Sequence, residues 1–261
     1  MVLAAIPFGL AIGLAFGALG GGGSVLTIPV LVYVLGESVH AATTASLVIV
    51  AAAALAGGLG HARSGHVCWR HALAFAGPAV VGVLAGTKAN QNVGGTVLLA
   101  LFVPVMLAGA WATWRTAADV NDGEDLPPRM CPPLRIPRDA LAGIGVGLLT
   151  GFFGVGGGFV VVPMLVIALG FSMRSAVGTS LVIVSAVSLI ALAAHFAAGN
   201  AVDVGVTASM TAACVTGAVA GGHLAARFSH ERLARGFAVL VTGVAAYLLV
   251  ATILLGGAPS G

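Results

Sequence analysis

Charged residues punctuate this chain only at long intervals. No Asp, Glu, Lys or Arg occurs in residues 1–36, 38–62, 71–87, 89–114, 140–173, 175–202, 204–226 or 236–261. About 20 apolar residues suffice to cross a bilayer as a helix, so the pattern predicts successive membrane helices over 39–60, 70–90, 93–115, 173–197, 204–227 and 232–256. Two further apolar stretches are too long for one span and are cut by glycines. Residues 3–19 are followed by Gly20-Gly21-Gly22-Gly23 and then 24–36. Residues 139–153 are followed by Gly154-Val155-Gly156-Gly157-Gly158 and then 159–170.

The two halves carry one hydrophobic sentence written twice. Residues 13–36 read GLAFGALGGGGSVLTIPVLVYVLG and residues 147–170 read GLLTGFFGVGGGFVVVPMLVIALG. The ungapped match of 13–67 with 147–201 holds 22 identities in 55 positions, at a fixed offset of 134 residues. Identity is cheap in an apolar chain, but matched Pro29/Pro163, matched glycine clusters and matched His61/His195 are not. A duplicated unit with glycine-broken segments at corresponding places is the sequence mark of a secondary transporter core. The expected architecture is all-α and polytopic. It has two inverted repeats of five helical segments, the first two of each repeat short and joined by a Gly-rich turn: repeat 1 over 1–115, a polar Pro-rich linker over 116–138, repeat 2 over 139–261.

Composition narrows the class. Hydrophobic residues are 59% and charged residues 7%, against roughly 25% charged in a soluble domain, and mean hydropathy is +1.10. Such a chain cannot cover a water-facing surface. A net charge of +3 without a basic patch gives no nucleic-acid signal. Cys68, Cys131 and Cys214 form no CxxC pair, so neither a disulfide framework nor a zinc site is expected. No nucleotide-binding loop and no spacing of an intramembrane hydrolase is present, so no enzymatic activity and no cofactor are expected. No Asp or Glu falls at the centre of a predicted span, which disfavours an inorganic cation as cargo. The linker concentrates Asp119, Asp122, Glu124, Asp125 and five prolines and reads as an extended, exposed tether.

Lys and Arg placement sets the orientation. If each glycine-cut segment returns to its starting side, ten of the eleven Lys and Arg residues fall on one face and only Lys88 on the other. If each is a single span, six face five of the eleven. The first count predicts a cytoplasmic linker and two periplasmic termini.

Three residue groups carry candidate chemistry. A helix N-terminus leaves about four backbone N–H groups unpaired at its positive end, and glycine lets that backbone approach a ligand. The turns at Gly21, Gly22, Gly23 and Ser24, and at Gly156, Gly157 and Gly158, therefore resemble paired anion cradles. The hydroxyls of Thr44, Ser46, Thr179 and Ser180, at the start of the following helix in each half, are candidate donors to the same anion, or else caps to their own helix carbonyls. His61 and His195 occupy equivalent positions near helix ends and are candidates for gating or proton coupling.

The paired patterns GGGGSVLTIP…LG…TTASL and GVGGGFVVVP…LG…VGTSL resemble the TauE/SafE sulfite exporter family over nearly the whole chain outside the linker. The resemblance implies ATP-independent secondary transport of a small sulfur-containing anion, sulfite or an organosulfonate such as sulfoacetate, across the bacterial inner membrane. Export by alternating access and a possible homodimer are further expectations. The alternatives are a permease for a non-sulfur organic anion and an anion channel built on the same helix ends. The first copy has Thr44-Ala45-Ser46 where the family has a Gly-Thr-Ser triplet.

Overall fold

A computed structural model describes residues 2–119, 131–200, 202–225 and 230–254. Every regular element among these is helical: α1 Val2–Leu19, α2 Ser24–Pro29, α3 Val39–Arg63, α4 Trp69–Gln91, α5 Gly95–Asp119, α6 Ile136–Phe153, α7 Gly158–Pro163, α8 Met173–Ala197, α9 Val204–Ala225 and α10 His230–Leu254. Six of them (α3, α4, α5, α6, α8 and α9) contain a stretch long and apolar enough to cross a membrane. Helices α5 and α6 reach further into the polar segment 116–138 than the charge pattern suggests. Residues 120–130, the centre of that segment, lie outside the described residues.

The helices α2 and α7 each end at a proline and continue as one π-helical turn, Val30–Val34 and Met164–Ala168. Proline has no N–H and its ring crowds the carbonyl four residues back, and the wider π-turn follows directly. With its π-turn each short helix has 11 residues, Ser24–Val34 and Gly158–Ala168. At 1.5 Å per residue that is about 16 Å, roughly half of a ~30 Å hydrocarbon core.

The halves are interleaved. Helix α1 runs parallel to α9 and α4 runs parallel to α6. Glycines make both seams: Gly9, Gly13 and Gly17 of α1 lie against Met210, Cys214 and Ala218, and Gly143, Gly147 and Gly151 of α6 lie against Phe75, Ala79 and Val83. A four-residue spacing of small residues lets two backbones come together where the hydrophobic effect supplies no attraction between helices. Under the 134-residue offset α1 corresponds to α6 and α4 to α9, so these two seams are equivalent. The equivalent helices α3 and α8 cross antiparallel at the centre. The first turns of α3 meet the last turn of α8 through Thr44 and His195, and the first turns of α8 meet the last turn of α3 through Gly178 and His61. Two-thirds of the apolar stretch is buried in each of α3 and α8, well above the fraction in the other four. Leu73, Val81, Trp111, Leu141, Ile167 and Val204 are exposed, a periphery suited to lipid rather than water.

One expectation from cysteine count is overturned. Cys68 and Cys131 form a disulfide, with Cα atoms 5.8 Å apart across 63 residues of sequence; Cys214 is free and buried. An odd count with no CxxC pair concealed a bond that depends on where the fold brings the linker end. That linker end is also not a free tether. The Pro132 carbonyl accepts from His71 Nε2 at 3.0 Å, His71 Nδ1 lies 2.9 Å from Asp139 Oδ1, and Asp139 Oδ2 accepts from the Arg135 N–H at 3.1 Å. Both His71 and Asp139 are buried, so this pair and the disulfide pin residues 131–135 onto the start of α4 and α6.

Candidate functional site

The two glycine turns meet inside the helix bundle. A Cβ on Gly158 would lie 2.6 Å from the Gly21 carbonyl oxygen, and one on Gly21 would lie 2.9 Å from the Gly158 Cα, so the turns cross backbone to backbone. Residues 20–29 and 153–159 are buried throughout. Gly20, Gly21, Gly154, Gly156 and Gly157 have φ between 67° and 108°, a region closed to side chains except at a cost in strain. Gly22 and Gly23 have ordinary φ.

Hydrogen bonding in the turns is incomplete. In the first turn the N–H groups of Gly20 and Gly21 both reach the Phe16 carbonyl, and helix α2 starts with Ser24 N–H to Gly21 O. In the second, Gly154 N–H reaches Thr150 O, and Val160 and Val161 close on Gly157 O. The N–H groups of Gly22, Gly23, Val155, Gly156, Gly157, Gly158 and Phe159 make no hydrogen bond. An unpaired buried backbone donor is uncommon, and each costs on the order of 1–3 kcal/mol. Seven such donors, clustered in two touching turns, concentrate partial positive charge in the buried interior.

Buried hydroxyls are likewise unpartnered, among them those of Thr27, Ser46, Thr150 and Ser188. Thr150 Oγ1 would be 2.8 Å from a Cβ on Gly157, and Ser188 Oγ the same distance from one on Gly156. The free hydroxyls of Thr150 and Ser188 thus flank the free N–H groups of the second turn. A repeat-based reading passes over both, because their counterparts in the first half are Phe16 and Ala54.

The hydroxyls singled out from the sequence divide. Ser46 Oγ is buried with no partner. Its counterpart Ser180 lies 2.6 Å from Gly20 O and 2.8 Å from Val177 O, tying α8 to the first turn. Ser24 Oγ donates back to Gly21 O at 2.9 Å. Thr179 Oγ1 accepts the N–H of Cys68 at 3.0 Å, tying α8 to the start of α4. Thr44 Oγ1 lies 3.2 Å from His40 O and 3.3 Å from His195 Nδ1. Ser180, Ser24, Thr179 and Thr44 therefore hold neighbouring elements in register, and of these five hydroxyls only that of Ser46 makes no hydrogen bond.

The paired histidines also differ. His195 is fully buried, with Nε2 2.9 Å from Gly151 O and Nδ1 3.1 Å from Asn200 Nδ2. A carbonyl at Nε2 requires the hydrogen there, so Nδ1 of the neutral ring accepts from Thr44 or Asn200. His61 is half-buried and stands edge-on to His66, with ring centroids 6.4 Å apart. Neither histidine touches the glycine turns. No group of three or more His, Cys, Asp or Glu side chains suited to a metal ion occurs among the described residues.

Helical, apolar-surfaced and carrying buried unsatisfied donors at its centre, the chain is a multi-pass membrane protein. The family model for sulfite exporter TauE/SafE matches residues 5–248. A probable membrane transporter protein of Xylella fastidiosa strain 9a5c is 34% identical over 253 residues, covering 95% of both chains, and its counterpart in strain Temecula1 is 33% identical over the same length. A probable membrane transporter protein of Bacillus subtilis strain 168, YdhB, is 26% identical over 179 residues, covering 66% of this chain and 70% of that one. No solved structure matches. The chain belongs to the TauE/SafE family and is a membrane transporter of that family.

Proposed function

We propose that this protein exports a small sulfur-containing anion, sulfite or an organosulfonate such as sulfoacetate, across the bacterial inner membrane by alternating access. The observation that carries this reading is the set of seven unpaired N–H groups at Gly22, Gly23, Val155, Gly156, Gly157, Gly158 and Phe159. Buried donors with no protein acceptor stabilise an anion of matching size and disfavour a cation. Sulfite and sulfonate present three oxygens that accept from converging donors. Ser46, Thr150 and Ser188 add hydroxyls with free hydrogens.

Alternating access rests on symmetry. The equivalence of the α1–α9 and α4–α6 seams, and the antiparallel crossing of α3 and α8, support two inverted repeats of five segments joined by the linker at 116–138. In that arrangement the glycine-cut segments return to their starting side, the linker is cytoplasmic and both termini are periplasmic. Rocking one half against the other about the α3–α8 crossing exposes the same central site to each face in turn.

Counterflow into proteoliposomes tests the reading. Vesicles loaded with unlabelled sulfite should accumulate labelled sulfite transiently, with saturation, and without ATP. Leak proportional to concentration with no counterflow identifies a channel. Counterflow with a carboxylate but not with sulfite or sulfoacetate identifies a non-sulfur permease and overturns the proposed cargo.

A further inference from the structure

The disulfide between Cys68 and Cys131 lies outside the helix interiors and is asymmetric. Cys68 is buried and occupies the N-cap of the 23-residue helix α4, whereas Cys131 is exposed. Arg70, Arg135 and Arg138 are all exposed and lie within seven residues of one or the other sulfur along the chain. Under the orientation proposed above, this is the cytoplasmic face. Disulfides there are exposed to nucleophilic exchange and are rarely structural. The bond is also linked to the candidate site through two hydrogen bonds, because the Cys68 N–H donates to Thr179 Oγ1 and the next residue, Ser180, donates to Gly20 O in the first glycine turn.

We propose that this disulfide is a covalent modification site for sulfite itself, a sensor of cargo on the face from which it is exported. The inference rests on the proposed cargo and orientation. Sulfite carries a lone pair on sulfur and cleaves disulfides by displacement along the S–S axis. The exposed Cys131 Sγ is approached from the side away from Cys68. A sulfur–sulfur bond forms between sulfite and Cys131 as the Cys68–Cys131 bond breaks, giving S-sulfocysteine at 131 and a thiolate at 68. No external oxidant or reductant enters the balance: the electron pair donated by sulfite replaces the pair that departs with Cys68. The direction of cleavage follows from position. Thiolate character at Cys68 is favoured by the N-terminus of α4, and the three arginines favour approach of an anion. Opening frees the linker end from α4, leaving it held by His71 and Asp139 alone.

The test is made on the purified full-length protein in detergent, without denaturant, with thiols alkylated at lysis. Incubation with sulfite should add one sulfite per chain. Peptide mapping should find the sulfonate on Cys131 and a newly alkylatable thiol at Cys68. Sulfate and methanesulfonate, which have no sulfur lone pair, should leave the bond intact. The variant Cys131→Ser should take up no sulfite at either position. Three results overturn the proposal: the sulfonate on Cys68, a disulfide that reacts only after unfolding, or two free thiols in the protein alkylated at lysis. The transport reading is separated by sulfite counterflow on the same preparations. Modification without counterflow removes sulfite as cargo and leaves the modification site standing, while counterflow without modification removes the sensor and leaves the carrier.

Discussion

Ser180 reaches across 160 residues of sequence to the carbonyl of Gly20, at 2.6 Å and fully buried. Its repeat counterpart Ser46, equally buried, has no partner. The same residue in two equivalent places therefore has two different tasks. Replacing Ser180 by Ala orphans a buried carbonyl and should lower stability by about 1–3 kcal/mol. Replacing Ser46 by Ala should leave stability nearly unchanged but weaken sulfite binding by about 0.5–1.5 kcal/mol, the worth of one hydrogen bond. Detergent melting and calorimetric titration on both variants check this. Equal melting points and equal affinities would return Ser46 to a packing role.

The glycine turns allow packing and binding to be told apart by position. At Gly21 and Gly158 an added Cβ meets the opposing turn's backbone, so Ala at either should lower the melting temperature whatever the protein binds. Gly22 has ordinary φ and an unpaired N–H. For Gly22→Ala the expected outcome is near-native melting with sulfite affinity reduced severalfold. Early melting with normal affinity per folded molecule would assign this glycine to packing as well.

A pH effect is expected outside the membrane spans. Glu37, in the loop before α3, has its carboxyl pushed above the usual value of 4.5, first by burial and then by the nearby Asp203 carboxylate. The folded state thus holds this proton more tightly than the unfolded chain does. The contribution of Glu37 to stability is present on the acid side and is lost as pH rises from about the unfolded value through the folded one. The variant Glu37→Gln should flatten that decline, in melting curves collected from mildly acidic to neutral pH. An unchanged slope in the variant would show that other groups produce it.

Orientation is open to direct labelling. With the halves inverted, a single cysteine placed in the linker and one near Gly261 should react with impermeant maleimide from opposite faces of the membrane, in a background lacking the native cysteines. Labelling of both from one face would remove the inverted arrangement and, with it, the cytoplasmic placement of the linker.

Much of this protein was legible in one dimension because the bilayer is a severe solvent. Every spanning segment must satisfy its own backbone and present apolar side chains, so five of the six membrane-length helices could be read from charge-free runs, and the family from a doubled motif around Pro29 and Pro163. The sixth, Ile136–Phe153, reads in the sequence as a short segment before the glycine turn. The glycine turns were legible for a related reason: a break in such a run is tolerated only where protein buries it. Tertiary structure alone decided which donors in those turns lack partners, because a hydroxyl or N–H is committed or free according to what stands opposite it. Ser46 and Ser180 are one letter in one motif, yet only Ser180 faces a carbonyl. Thr150 and Ser188 have no hydroxyl at their repeat counterparts, Phe16 and Ala54, and become notable only beside Gly156 and Gly157. The Cys68–Cys131 bond and the buried His71–Asp139 pair depend on the linker folding back across 63 and 68 residues. Hydrophobic pattern is local and survives in the sequence, whereas polar pairing is a matter of who meets whom in space.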